Sequence, residues 1–573
     1  MVIMKLEKFN ERPHQSEKEE ALNYIRTLME QARRDSKLED IPKLEKLIEL
    51  VDSKRYGLVW EEHAELVEEE MKTKIPVFIE DYSRKIEGNP STSDYNFLLE
   101  GDNLHSLHLL SKTHSGMIDV IYIDPPYNTG NKDFIYNDKI VGDDDVYRHS
   151  KWLSFMDRRL NIARELLSSE GVIFISIDNN EYAQLKLLCD QILGENNFVT
   201  TIHVELSSTQ GMKVKAAQMG NVVKNAEYIL VYSSTGKKSI AKNLLYDYRP
   251  EYDTHYNKII INDALVSLKE HVSSLVEPEF KTENLKNLYR KSDKFKEFVE
   301  ANLDRIVADD KITGFELSEF DEGKIYKVEK SGKTYLVFNN GTKMRQLLQL
   351  SNSYGKCHDF SESTGLRKIR GDWWKEFYLD MGNVSKEGNV VFANGKKPIR
   401  LLKQIIYMSS KKDSIILDFF AGSGTTGHAV AKLNNEDGGK RKYILCTNNE
   451  NNICEEVTYT RLLNIQKDLP HNLKYFKTKF IKKDDEELEY ALLNNVKTLI
   501  ELEHAIDLEE SDKAVAFTLS EIRELDLSGI KTVYVRQHSH ALMEKEDKLR
   551  YENIELIDVP EYYFASEMRE AGL

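Results

Sequence analysis

The sequence predicts an α/β protein: a doubly wound, mostly parallel sheet interrupted by an inserted domain. Short apolar runs alternate with helical stretches between residues 95 and 232, the alternation stops over 236–397, and it resumes over 414–447 with a run that ends in a glycine-rich turn. At 573 residues the chain exceeds one compact core, so three or four domains are expected.

Taken in order, residues 1–90 form an N-terminal helical region. Ala21, Tyr24, Ile25 and Leu28, then Leu44, Leu47, Ile48 and Val51, recur at helical spacing, and the acidic run Glu61–Glu70 reads as a solvated helix. Residues 91–235 hold the first part of the sheet. Strands are predicted at Tyr95–Leu99, Ile118–Ile123, Val172–Ile177, 198–204 and Tyr228–Tyr232, with helices at Leu104–Leu110, 151–168 and 181–193. Residues 236–397 are the insert, mixing charged helical pieces with hairpin-like runs at Lys324–Val328 and Thr334–Phe338. Residues 398–480 return to the sheet with strands at Ser414–Asp418 and Tyr443–Thr447, and 481–573 form an acidic block ending near a strand-like Thr532–Val535.

Composition narrows the function. Cys189, Cys357, Cys446 and Cys454 show no zinc spacing, so neither a metal centre nor a disulfide scaffold is expected. No apolar run reaches the roughly 20 residues of a membrane span, and the first residues lack a signal-peptide pattern. A cytoplasmic protein is expected. The net charge of −16 is uneven: the last 93 residues carry −12, whereas 201–410 carry +6, with Arg367, Lys368 and Arg370 clustered before Trp373 and Trp374. A mildly basic centre between acidic ends permits a polyanion partner. The Trp pair reads either as a stacking surface beside phosphate contacts or as buried core.

Two motifs carry chemistry. Asp124-Pro125-Pro126-Tyr127 directly follows a buried strand, at the end where doubly wound sheets bind ligands. Adjacent prolines freeze the backbone and remove two donors. The loop therefore offers fixed carbonyls, one carboxylate and one aromatic ring. The lone pair of an exocyclic amino group is delocalised into its ring. Two acceptors gripping its hydrogens, Asp124 and the Pro125 carbonyl, would favour the nucleophilic form, and Tyr127 would stack on an extruded base.

The second motif, Asp418 to Gly427, is again strand, glycine-rich turn and helix. It is not a phosphate-binding P-loop, because His428 and Ala429 stand where that loop needs Lys and Ser/Thr. A small zwitterionic adenosyl ligand suits it: Asp418 meets an amine, glycines admit the ligand, and Glu450, after the next strand, is the candidate for the ribose hydroxyls.

With these residues in place, the chain resembles the amino-group DNA methyltransferases, in the permuted class where DPPY precedes FxGxG, here Phe420-Ala421-Gly422-Ser423-Gly424. Its surroundings resemble Mod subunits of type III restriction–modification systems: Tyr122–Gly130, Asp133–Asp138, Trp152–Met156, Gly171–Asp178, Asn225–Tyr232 and Lys474–Thr478. The resemblance implies a circularly permuted S-adenosylmethionine-dependent methyltransferase sheet, with 236–397 as target recognition domain and helical or mixed terminal regions. It implies methyl transfer to adenine N6 in double-stranded DNA, because an aspartate leads the catalytic motif.

The resemblance makes Asp124, Pro125, Pro126 and Tyr127 catalytic. Asp418, Phe420, Gly422, Gly424, Thr425, Glu450 and Asp102 become donor-binding candidates, Asp102 having an equal reading as a helix cap. Phe134, Tyr136, Tyr228, Arg367, Lys368 and Arg370 become DNA-binding candidates, and Lys397-Pro398 resembles the segment that closes the cofactor pocket. Expected partners are a second copy and a Res-type helicase–nuclease. The alternatives are a solitary methylase and a DNA-reading subunit without catalysis.

Overall fold

The computed structural model describes residues 17–35, 37, 40–52, 60–130, 134–137, 139–142, 144–208, 210, 212–236, 240–275, 283–392 and 395–572. Asp133 and Asp138 lie outside them. The chain divides into two compact units, Met1–Glu61 and Glu62–Leu573. The first pairs two helices, Glu17–Arg34 and Ile41–Asp52. Leu22 and Ala32 are buried there, whereas Tyr24 is 66% exposed and lies off the buried face.

The second unit is built on an eleven-stranded sheet. Its strands are β1 (Lys74–Glu80), β2 (Ile86–Glu87), β3 (Asn96–Glu100), β4 (Ile118–Ile123), β5 (Leu167–Ile177), β6 (Phe198–Glu205), β7 (Ala226–Ser233), β8 (Trp373–Trp374), β9 (Ile415–Asp418), β10 (Lys442–Thr447) and β11 (Asn472–Lys482). Across the sheet they run β1-β11-β3-β10-β9-β4-β5-β7-β6-β8, with β2 paired to β11. The six strands from β11 to β5 are mutually parallel, while β7 turns antiparallel to β5 and β6. After β7 the chain leaves the sheet, touches its edge again as β8 beside β6, and then re-enters at the centre, placing β9 beside β4 with Ile416 opposite Val120.

Both faces of the sheet are covered, as continuous apolar strands require. Val120, Tyr122, Val172, Phe174 and Ile416 join a core with Leu401, Leu402 and Ile405 of helix α1 (Ile399–Ser409) and Ala429, Val430 and Leu433 of helix α2 (Thr425–Asp437). The intervening Ile121, Ile123, Ile173 and Ile175 are equally buried.

Three expectations are corrected. The N-terminal region is not helical throughout to residue 90: the β-rich run Lys-Ile-Pro-Val-Phe-Ile-Glu forms β1, antiparallel to β11. Its partner lies some 400 residues downstream, so local pattern could not show the pairing. The acidic helix begins only at Leu66, and Glu65 is 5% exposed because the guanidinium of buried Arg159 lies 2.8 Å away. The insert also ends earlier than 397, since Trp373 and Trp374 extend the main sheet as β8 alongside His203 and Val204. Of that pair Trp374 is buried and Trp373 is 49% exposed.

Between these limits the insert forms antiparallel sheets of six and three strands around its own core, which includes Tyr252, Ile259, Phe295 and Leu350. The acidic C-terminal region is mixed: Lys513–Ala516, Thr532–Arg536 and Glu555–Val559 form a parallel sheet joined by helices. No helix among the described residues is long and apolar enough to cross a membrane.

Candidate active site

The carboxyl ends of β4 and β9 open side by side onto one cavity of about 750 Å³, lined by Asp124 to Tyr127 on one side and Asp418 to Ser423 on the other. Their adjacency follows from the return of the chain to the sheet centre.

The first loop is anchored from behind. The Trp152 indole donates to the Pro126 carbonyl at 2.7 Å. Asn128 adopts a left-handed backbone (φ 55), is fully buried, and donates its amide to Glu181 Oε1 at 2.5 Å and to the Arg148 carbonyl at 3.3 Å. Burial pushes the Glu181 carboxyl up to about 8, against the opposing pull of the Asn128 hydrogen bond. At the front, the Tyr127 hydroxyl lies 2.9 Å from Asp124 Oδ1 and 3.1 Å from Glu227 Oε2, within donating distance of both. Burial raises the Asp124 carboxyl above the usual range, opposed by the Lys397 ammonium.

The second loop turns on Gly422 (φ 47) and Gly424 (φ 73), a region open to glycine at little cost. Asp418 Oδ1 accepts from the Phe420 amide at 3.0 Å, and Oδ2 accepts from the Thr426 hydroxyl at 2.5 Å. Burial pushes this carboxyl up to about 7. Arg461, fully buried, donates to Thr425 Oγ1 at 2.8 Å and to the Ser423 hydroxyl at 3.2 Å.

The structure brings most of the expected residues together. Asp102, Asp124, Pro125, Pro126, Tyr127, Phe134, Tyr136, Asp418, Phe420, Gly422, Thr425 and Glu450 all line the cavity. Asp102 also caps the helix Asn103–Thr113, accepting from the Leu104 amide at 2.7 Å. Phe134 packs on Phe155, and the Tyr136 hydroxyl is committed to the His63 carbonyl at 2.7 Å. Gly424 is not part of the lining and is the N-cap of α2.

Four expected residues lie elsewhere. Tyr228 is outside the cavity lining, packed against Tyr182 and His203 at ring separations of 4.9 and 5.5 Å. Alternation along β7 explains this, because the neighbouring Glu227 carries the contacts to Tyr127 and Lys397. Arg370 is not a free phosphate contact: it pairs with Asp247 at 2.6 Å and donates to Gln404 at 2.5 Å and the His358 carbonyl. Arg367 stacks on the Tyr246 ring at 3.9 Å, and Lys368 is exposed on the insert.

Sequence reasoning missed Arg159, Glu181 and Arg461, and gave no role to Trp152 and Glu227, which fall in segments that carry the resemblance. Arg159 ties the site walls together, donating to Asn103 Oδ1 at 2.5 Å while Asn103 donates to the Phe419 carbonyl at 2.8 Å. Lys397, expected at a cofactor-closing segment, places its ammonium 3.3 Å from Asp124 Oδ1 and 2.6 Å from the Tyr127 hydroxyl.

A rigid acceptor-rich loop thus shares one cavity with a glycine turn that carries a buried carboxylate. Residues 118–458 match the N6_N4_Mtase model, described as DNA methylase; the chain belongs to that family. The Mod subunit of the StyLTI type III restriction-modification enzyme of Salmonella typhimurium is 33% identical over 405 residues, covering 66% of this chain and 56% of that protein. The EcoPI Mod subunit of Escherichia phage P1 is 32% identical over 398 residues, covering 62% and 58%. The type II methyltransferase M.KpnI of Klebsiella pneumoniae is 34% identical over 373 residues, covering 63% and 82%. The chain thus spans about half the length of the type III relatives it matches.

Proposed function

We propose that the protein is a site-specific adenine-N6 DNA methyltransferase using S-adenosylmethionine, and the modification subunit of a type III-like restriction–modification system. The carrying observation is the shared cavity, with Asp124 and Asp418 at the ends of neighbouring strands. The residues fit the donor. Gly422 faces space that a Cβ would enter, its nearest atom within reach being the Phe420 carbonyl oxygen at 3.9 Å. Asp418 offers a buried carboxylate to the amine, and Phe420, Thr425, Glu450 and Asp102 line the remaining wall. When bound, S-adenosylmethionine supplies an electrophilic methyl on a sulfonium.

The chain's own residues supply position and charge. A flipped adenine costs a few kcal/mol to extrude, and Tyr127 provides a face on which it stacks. Asp124 Oδ and the Pro125 carbonyl accept the two amino hydrogens, directing the nitrogen lone pair at the donor. Orientation and fixed acceptors for the charge developing on nitrogen carry the rate. Asp124 is placed to receive the proton that the methylated nitrogen releases.

Double-stranded DNA is the proposed substrate, a second copy and a Res-type helicase–nuclease the proposed partners, and the cytoplasm the proposed location. M.KpnI, matched over 82% of its length, is named a type II methyltransferase, and this likeness supports a second reading, a methyltransferase that is not a type III subunit. Single-molecule sequencing of DNA from a methylase-deficient bacterium expressing the chain tests the reading. N6-methyladenine at one short motif, absent with Asp124→Ala, is expected, and marks on one strand only support the type III form. N4-methylcytosine overturns the acceptor, and no mark from folded protein overturns the activity.

A further inference from the structure

Lys397 sits where the acceptor group would bind. Its ammonium has three donors and meets three acceptors: the Tyr127 hydroxyl at 2.6 Å, Glu227 Oε2 at 3.0 Å and Asp124 Oδ1 at 3.3 Å. It also lies 4.9 Å from the Tyr127 ring centre. Pro398 follows it as the N-cap of α1, and a proline restricts the backbone of the residue before it. Asp124 Oδ1 already receives Tyr127, and an arriving amino group needs room on the same carboxylate.

Electrostatics adds a second requirement. As the methyl joins nitrogen, positive charge passes from sulfur to that nitrogen. An ammonium left on Asp124 would oppose it. Glu227, half-buried on β7 and bonded to the same tyrosine and lysine, is a second resting place for the lysine's charge. We propose that Lys397 and Glu227 are positioning residues of the acceptor site, Lys397 occupying Asp124 while the pocket is empty and moving onto Glu227 when an exocyclic amino group enters. This rests on the reading of Asp124 as the acceptor-binding carboxylate. It assigns Lys397 to the acceptor and not to the donor pocket.

The groups that face Asp124 give the test its sign. They are Tyr122 and Tyr127 on its own segment, Lys397 ahead of α1, Glu227 on β7, and Asp418 on β9. Activity needs Asp124 ionised, so at saturating donor, where the ionisation of Asp418 does not limit, the acid limb of kcat/KM for DNA follows the Asp124 titration. Removing the Lys397 charge moves that limb to higher pH, and removing the Glu227 charge moves it to lower pH.

Methylation of chromosomal DNA from a methylase-deficient bacterium, with radiolabelled donor, is measured against pH for the wild type, Lys397→Met, Lys397→Arg and Glu227→Gln. Donor binding is titrated alongside. The expected result is opposite displacement of the acid limb by roughly one pH unit, restoration by Lys397→Arg, and unchanged donor affinity throughout. Limbs that stay put or move together overturn the proposal, as does loss of donor binding in Lys397→Met. Glu227→Gln alone carries the downward shift if Lys397→Met does not fold. A wild-type chain that methylates no DNA overturns the proposed function and this inference with it, whereas an active wild type with unmoved limbs overturns the inference alone.

Discussion

Between Asp124 and Tyr127 the backbone is held by two prolines, whereas between Asp418 and Thr426 it turns on two glycines with positive φ. Both loops leave neighbouring parallel strands and line one cavity, yet their supports differ as much as their sequences. The proline loop is stiff by itself, and side chains fix where it points: Trp152 on the Pro126 carbonyl, and Glu181 on Asn128. The glycine loop has little stiffness of its own and is held by Asp418 beneath it and Arg461 behind it. A loop that grips one small group needs a fixed direction. A loop that admits a larger ligand needs empty space, and gives up side chains to have it.

The proposed division of labour makes the two loops separable by mutation. Asp124→Ala should lower methylation by about 10²–10³-fold, the scale of losing one pre-arranged charge-stabilising group, while donor binding persists. Arg461→Met should lower stability by about 3 kcal/mol, because Glu387, whose carboxylate lies 3.7 Å from the guanidinium, loses its buried partner; chemical denaturation measures this. Gly424→Ala should cost about 1–2 kcal/mol in the same measurement, from the left-handed backbone and from a Cβ meeting Thr458 Cγ2 at 3.0 Å.

The pH dependence of donor binding sharpens the comparison further. Asp418, pushed up to about 7 by burial, must be ionised to receive an amine. Affinity should therefore fall as pH drops below 7, by up to about tenfold per unit, with proton release on binding near pH 7; calorimetry in two buffers reads both. The smallest effect is expected for Trp152→Phe, which removes one hydrogen bond worth about 1 kcal/mol and should lower turnover a fewfold with donor affinity unchanged.

What can be read from the sequence follows locality. The strands of the sheet centre are continuous apolar runs, and the two loops are contiguous motifs, so both stand out in the order of residues alone. Partners distant in the chain do not. β1 lacks meaning until β11 is beside it, and Glu65 looks like one acidic residue among many until Arg159, on another helix, reaches it. Arg370 looks available for phosphate because Asp247 lies 123 residues away. Tyr228 and Glu227 are distinguishable only by strand register, which fixes the face each occupies. Aromatic and charged residues on the insert therefore give the weakest reading, and buried supports of the loops give none.

The most direct test of the central claim, that one cavity holds a donor on the glycine loop and an acceptor on the proline loop, is a calorimetric titration of S-adenosylmethionine into the wild type, Asp124→Ala and Gly422→Val. Near-equal affinity is predicted for the wild type and Asp124→Ala. For Gly422→Val the prediction is at least a tenfold loss, equivalent to about 1.4 kcal/mol. Equal weakening in both variants, or none in Gly422→Val, would contradict the claim.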